Sequence, residues 1–225
     1  MNKRSSARSW ERPVEVPSGR VTLAGILAVP PDAKGVVLFA HGSGSGRFSP
    51  RNNFVARVLQ DAGLGTLLID LLTEEEAEDR RFVFDIDLLA QRLLDATKWL
   101  KREPQTKKLR IGYFGASTGA AAALQAAARD KSTASAIVSR GGRPDLASEY
   151  LPKVEAPTLL IVGGNDYPVV ALNQEAYYLL RCDKEITIVP GATHLFEEPG
   201  ALEKVAQLAR QWFERYLPQA RRLAA

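Results

Sequence analysis

Cysteine is almost absent from this sequence: Cys182 is the only one among 225 residues. No disulfide can therefore close within the chain, and a bridged framework is excluded as a source of stability. That scarcity favours a reducing compartment, and a cytoplasmic location is the expectation. Histidine is nearly as rare, with His41 and His194 the only two, so the search for a catalytic base is short. There is no run of about 18 uncharged apolar residues, and no segment is expected to span a bilayer. Linker-like stretches rich in Pro, Ser or Gly, internal repeats and low-complexity tracts are also missing. Neither a metal-ligand cluster nor a cofactor motif is found, and no cofactor is expected.

What is present is the composition of an ordinary globular protein, 45% hydrophobic and 25% charged. A chain of this length buries roughly 70–75% of its unfolded surface, enough for a substantial core. The net charge is +4, but Lys and Arg are spread along the chain and partly balanced, so nucleic acid is not an expected partner. Residues 1–13 are polar and basic and lack the apolar stretch of a secretory signal. They are read as a solvated arm, and residues 14–225 as a single domain, monomeric or homodimeric.

Along the chain, short β-branched or Leu-rich runs bounded by glycine alternate with longer segments of helical apolar spacing. Strands are expected at 21–29, with 14–16 as a partner, and at 36–40, 65–71, 109–114, 134–139, 158–162 and 185–189. Helices are expected at 53–62, 86–101, 117–128, 170–180 and 201–216, and the run Glu74 to Glu76 is read as a solvated loop. Strands separated by helices imply a mostly parallel sheet of about eight strands covered on both faces. Functional loops in such sheets lie at the carboxyl ends of the strands. The segments 73–84 and 141–155 could form a small lid, and no large cap is expected.

One such loop is Gly115-Ala116-Ser117-Thr118-Gly119. The five-residue pattern alone is weak, but its position between a strand and an alanine-rich helix strengthens it. A serine at a sharp strand-to-helix turn needs small neighbours, and the turn aims the N-terminus of a helix at the site. The bland alternative is a serine that caps the helix while the glycines serve packing. A serine hydroxyl needs a base, and the base needs an acid to orient it. His194, in Gly191-Ala192-Thr193-His194, follows the strand at 185–189; Asp166, in Gly163-Gly164-Asn165-Asp166, follows the strand at 158–162. Ser117, Asp166 and His194 thus stand on loops after three different strands, in the chain order of an α/β-hydrolase triad. Cys182 lies away from any such turn and is read as a half-buried passenger.

With His41-Gly42-Ser43-Gly44 added, these motifs run through nearly the whole domain, and the chain resembles the α/β-hydrolases, in particular the small dienelactone hydrolase-like group. Its elbow residue is serine where dienelactone hydrolases proper have cysteine, which argues against dienelactone itself as the substrate. The resemblance implies a serine hydrolase acting on a small ester, lactone or related acyl compound. It implies an oxyanion hole from the N–H groups of Ser43 and Thr118, with glycines at 42, 44 and 46 letting that loop approach the substrate. His41 is then structural, packed behind the loop. A phosphate-binding glycine loop is the alternative, but the spacing and lysine of a P-loop are missing.

Arg47 and Arg51 flank this loop, and Arg140 and Arg143 lie in another loop after a strand. Such guanidinium groups could hold an anionic substrate, with Arg143 the chosen substrate-binding residue, or could pair with Asp70, Asp145 or the acidic run. Rival functions are acyl transfer or perhydrolysis on the same triad, and a non-catalytic binding domain that kept the fold.

Overall fold

The computed structural model describes residues 10–218. Its sheet has eight strands: β1 (Glu11–Ser18), β2 (Val21–Ala28), β3 (Val36–Ala40), β4 (Gly65–Ile69), β5 (Ile111–Ala116), β6 (Ala136–Arg140), β7 (Thr158–Gly163) and β8 (Lys184–Val189). They lie in the order β1-β2-β4-β3-β5-β6-β7-β8. The β1–β2 hairpin and its junction with β4 are antiparallel, and the pairs from β4 through β8 are parallel. Seven helices are described: α1 (Pro50–Asp61), α2 (Glu74–Glu78), α3 (Arg80–Val83), α4 (Ile86–Leu100), α5 (Thr118–Arg129), α6 (Tyr167–Leu179) and α7 (Ala201–Tyr216). This is the α/β-hydrolase architecture without a cap domain.

Side-chain direction follows from the strand pleat. In β3, Val36, Leu38 and Ala40 join the core under α4 and α5, while Val37 and Phe39 join the core under α1 and α7. All five are buried, as both faces of a central parallel strand require. By contrast β1 alternates, burying Val14 and Val16 and exposing Pro13 and Glu15, and its two prolines suit an edge position. Residues 11–13, expected in the N-terminal arm, are paired with 26–28 of β2; residues 1–9 lie outside the described residues.

The acidic run is the clearest local correction. Residues Glu74–Glu78 form a helix rather than a loop, started by a capping box in which Thr73 Oγ accepts from the Glu76 N–H and Glu76 accepts from the Thr73 N–H. Glu76 also takes two hydrogen bonds from Arg92 of α4, Nη1 and Nη2 each at 2.6 Å, and Arg92 donates to Leu71 O at 2.7 Å. Arg92 holds the Glu76 carboxyl down to about 2. The segment 144–153, one of the two expected lids, is a kinked run of 3₁₀ turns packed against α5 and α6.

Candidate active site

The carboxyl ends of β3, β5, β6, β7 and β8 lie side by side, so the loops that follow them converge. At the end of β5, Ser117 has φ +51° and ψ −120°. Such a backbone is strained for a residue with a Cβ, and it persists because its surroundings fix it. The Ser117 N–H donates to Arg140 O at 3.3 Å, and its carbonyl accepts from the Arg143 N–H at 3.1 Å. Small residues make the turn possible. A Cβ on Gly115 would lie 2.4 Å from Ala120 Cα, and one on Gly119 would lie 2.2 Å from Ala40 O. Helix α5 begins immediately, its residues 118–128 buried and nearly all small.

Asp166 and His194 are brought together by stitching of the loops after β7 and β8. The Gly164 N–H donates to Val189 O at 2.8 Å, the Asn165 N–H to Ala192 O at 2.9 Å, and Asn165 Nδ2 to Gly191 O at 2.9 Å. Gly163 permits the approach, because a Cβ there would lie 2.5 Å from both Ala192 O and Thr193 O. His194 Nδ1 is 2.7 Å from Asp166 Oδ2. With a proton on Nδ1 donated to the carboxylate, the imidazole presents Nε2 as an acceptor. Ser117 and His194 border one cleft of about 250 Å³ together with Gly42, Ser43, Arg51 and Arg140. No hydrogen bond joins the Ser117 hydroxyl to His194 in this arrangement.

The loop after β3 passes close over the serine: a Cβ on Gly42 would lie 3.0 Å from Ser117 Cβ. His41 fixes this loop from behind. Its Nε2 accepts from the Leu71 N–H at 2.8 Å, so its Nδ1 carries the proton and donates to Gly42 O at 2.9 Å. Burial pushes the imidazole's pKa below its ordinary value, which keeps it neutral in this role. In a trans peptide the N–H points opposite to the C=O. Holding Gly42 O toward His41 therefore turns the Ser43 N–H away from it. The Ser43 and Thr118 N–H groups donate to nothing among the described residues. A smaller cavity of about 100 Å³ also borders this loop, walled by Leu72, Ala77, Val83 and Leu89 and touching Ser43 and Thr118. The segment 73–84 therefore does cover part of the site.

The four candidate arginines separate. Arg47 is ion-paired with Asp70, whose Oδ1 also accepts from the Arg47 N–H at 2.6 Å. Arg143 grips Asp145 with Nε and Nη2 at 2.8 and 2.7 Å and does not line the cleft around Ser117. Asp145, two residues on, was the signal for that pairing. Arg51 and Arg140 do line the cleft. Phe196 also escaped the sequence reading: it is fully buried at φ +56° and pins the loop carrying His194. Cys182 is half-buried, and burial pushes its thiol up.

The family model that describes the dienelactone hydrolase family matches residues 23–218. This chain belongs to the dienelactone hydrolase family. A solved dienelactone hydrolase from Anabaena variabilis is 60% identical, with a TM-score of 0.90 over 92% of this chain and 98% of that one. Est1E from Butyrivibrio proteoclasticus (14% identical, TM-score 0.74, covering 90% of this chain and 98% of that one) shares the fold. So does a Pyrococcus furiosus esterase (17% identical, TM-score 0.72, covering 92% and 91%). A Mycobacterium tuberculosis protein named, provisionally, phosphoribosyl transferase is 59% identical over 200 residues. Those residues are 89% of this chain but 45% of that protein, so the chain spans about half its length. The family and its solved member make this chain a hydrolase-family protein. No helix among the described residues is long and apolar enough to cross a membrane.

Proposed function

We propose that the chain is a serine hydrolase of small esters or lactones. The observation that carries this reading is the His194–Asp166 pair at 2.7 Å, facing the same cleft as a serine held at φ +51°. The relay is complete when the Ser117 hydroxyl comes within hydrogen-bond reach of Nε2, a contact that often tightens only once substrate is bound. Ser117 Oγ attacks the acyl carbon while His194 takes its proton, and Asp166 holds the tautomer and stabilises the imidazolium. Charge builds on the former carbonyl oxygen, where the free Ser43 and Thr118 N–H groups receive it. His194 then returns its proton to the leaving oxygen. Water, deprotonated by the same imidazole, frees the acid from Ser117.

His41 acts here as a positioning residue, through the Gly42 peptide it holds. The small apolar cavity beside Ser43 and Thr118 suits the hydrocarbon part of the acyl group. The name of the Anabaena protein supports including lactones among the substrates tested. A panel of p-nitrophenyl esters and lactones, run on wild type and Ser117→Ala, tests the reading, with a fluorophosphonate probe as an independent label. Turnover that disappears in Ser117→Ala, with label on Ser117, is expected. Turnover surviving that change, or well-folded protein that neither labels nor turns over, overturns it. Added alcohol or peroxide would show by its products if transfer replaces hydrolysis.

A further inference from the structure

Arg140 ends β6 with 7% of its surface exposed, yet no carboxylate pairs with it among the described residues. Among the described residues its guanidinium has one hydrogen-bond partner, Asn52 Oδ1 at a long 3.5 Å, and its guanidinium carbon stands 5.9 Å from the centre of the Phe196 ring. The charge it does feel is of its own sign. Burial and then the neighbouring Arg51 bring its pKa down to about 10. Arg51 comes from α1 and has one ion pair, Nη1 to the exposed Glu197 at 3.1 Å, while its Nε is buried with no acceptor. Both side chains line the cleft that holds Ser117 and His194.

A buried cation without a counter-ion is costly, and a second cation beside it raises the cost. In the buried Arg92 the same problem is solved internally by an acid, and the more exposed Arg47 and Arg143 each hold one as well. At the cleft it is left open, with donors arriving from two separate elements. A planar carboxylate matches one guanidinium fork and brings one negative charge. A tetrahedral dianion offers oxygens in several directions, one charge answering Arg140 and the second competing with the exposed Glu197 for Arg51.

We propose that Arg51 and Arg140 form a subsite for a tetrahedral dianion beside Ser117, so that the acyl substrate carries a phosphate monoester group. This use of the subsite rests on the serine hydrolase reading, whereas dianion binding itself does not. The phosphate is a handle: the bond broken is the ester at Ser117, and the phosphorus is untouched. Arg51 and Arg140 are thus specificity determinants.

Calorimetric titration of Ser117→Ala with inorganic phosphate, sulfate and acetate tests the subsite. Phosphate and sulfate should bind with similar affinity and acetate at least about tenfold more weakly, the difference of one charged hydrogen bond. Adding Arg140→Met or Arg51→Gln should weaken phosphate by about 10- to 100-fold. Should Arg140→Met fail to fold, Arg51→Gln and the acetate arm still decide. Acetate binding as tightly as phosphate, phosphate affinity unchanged in a folded arginine variant, or no phosphate binding at about 10 mM each overturns the proposal. In the wild type, phosphate should compete with p-nitrophenyl acetate. Phosphate bound with no ester turned over sinks the hydrolase reading alone, and ester turned over by Ser117 without phosphate binding sinks the subsite alone.

Discussion

Among the described residues two arginines are buried, and the protein treats them in opposite ways. Arg92 (4% exposed) meets Glu76 through two bonds and Leu71 O through a third, while Arg140 (7% exposed) has one long contact to an amide oxygen. The first ties α2 to α4 and leaves nothing for a ligand. The second stands at a strand end where five loops converge, with its charge unanswered. Burial alone does not mark a functional charge; burial without a partner, at the rim of a cleft, does.

The largest effect that sharpens this contrast is at the cleft. Ser117→Ala should lower kcat/KM for the best ester by about 10⁴-fold or more with the fold intact, measured alongside far-UV circular dichroism. At the other pole, Glu76→Gln strands Arg92. It should cost about 3 kcal/mol in urea unfolding, with turnover per folded molecule much less affected. A folded state as stable as wild type would remove the structural half of the comparison. The same pair carries a pH dependence. Because Arg92 holds Glu76 at about 2, below its ordinary 4.5, its contribution is complete above pH 4.5 and is lost as pH falls toward 2. The urea midpoint of wild type should fall over that window more steeply than that of Glu76→Gln.

His41→Phe removes the clasp on the Gly42 peptide and should lower kcat by about 10- to 100-fold with little change in KM, since only the transition state leans on the Ser43 N–H. A change confined to KM would make His41 a packing residue only. The smallest effect is the most telling. Arg140→Met, which takes an uncompensated charge out of the ligand-free protein, should shift stability by no more than about 1 kcal/mol and in the favourable direction. A loss like that of Glu76→Gln would mean that Arg140 is as well satisfied as Arg92.

Much of this was legible in the sequence because the signals are local. Glycine-bounded apolar runs mark the strands, and motif order along the chain points to Ser117, Asp166 and His194, of which Asp166 and His194 meet at 2.7 Å and Ser117 borders the same cleft as His194. The misses are of two kinds. Residues 74–78 carry a local signal, Thr73 followed by Glu76, that was outweighed by three adjacent acidic residues. The choice among the arginines was not local at all. Arg140 ends β6 and Arg143 follows three residues later, and only the packing shows that the second is gripped by Asp145 while the first reaches the cleft. Likewise β1 starts at Glu11 because Trp10 and its neighbours find β2 across the hairpin, a pairing that polar composition concealed.

The contact of Gly119 with Ala40 O bears on how new specificities could arise. The start of α5 and the end of β3 are pressed together so closely that no side chain fits between them. A side chain at 119 would push the start of α5 away from the end of β3, so variation at that position is closed to evolution and to the protein engineer alike. Residues 73–84 carry no such restriction, although they wall the apolar cavity through Ala77 and Val83. A library meant to reshape that cavity should therefore be built there, sparing Thr73 and Glu76.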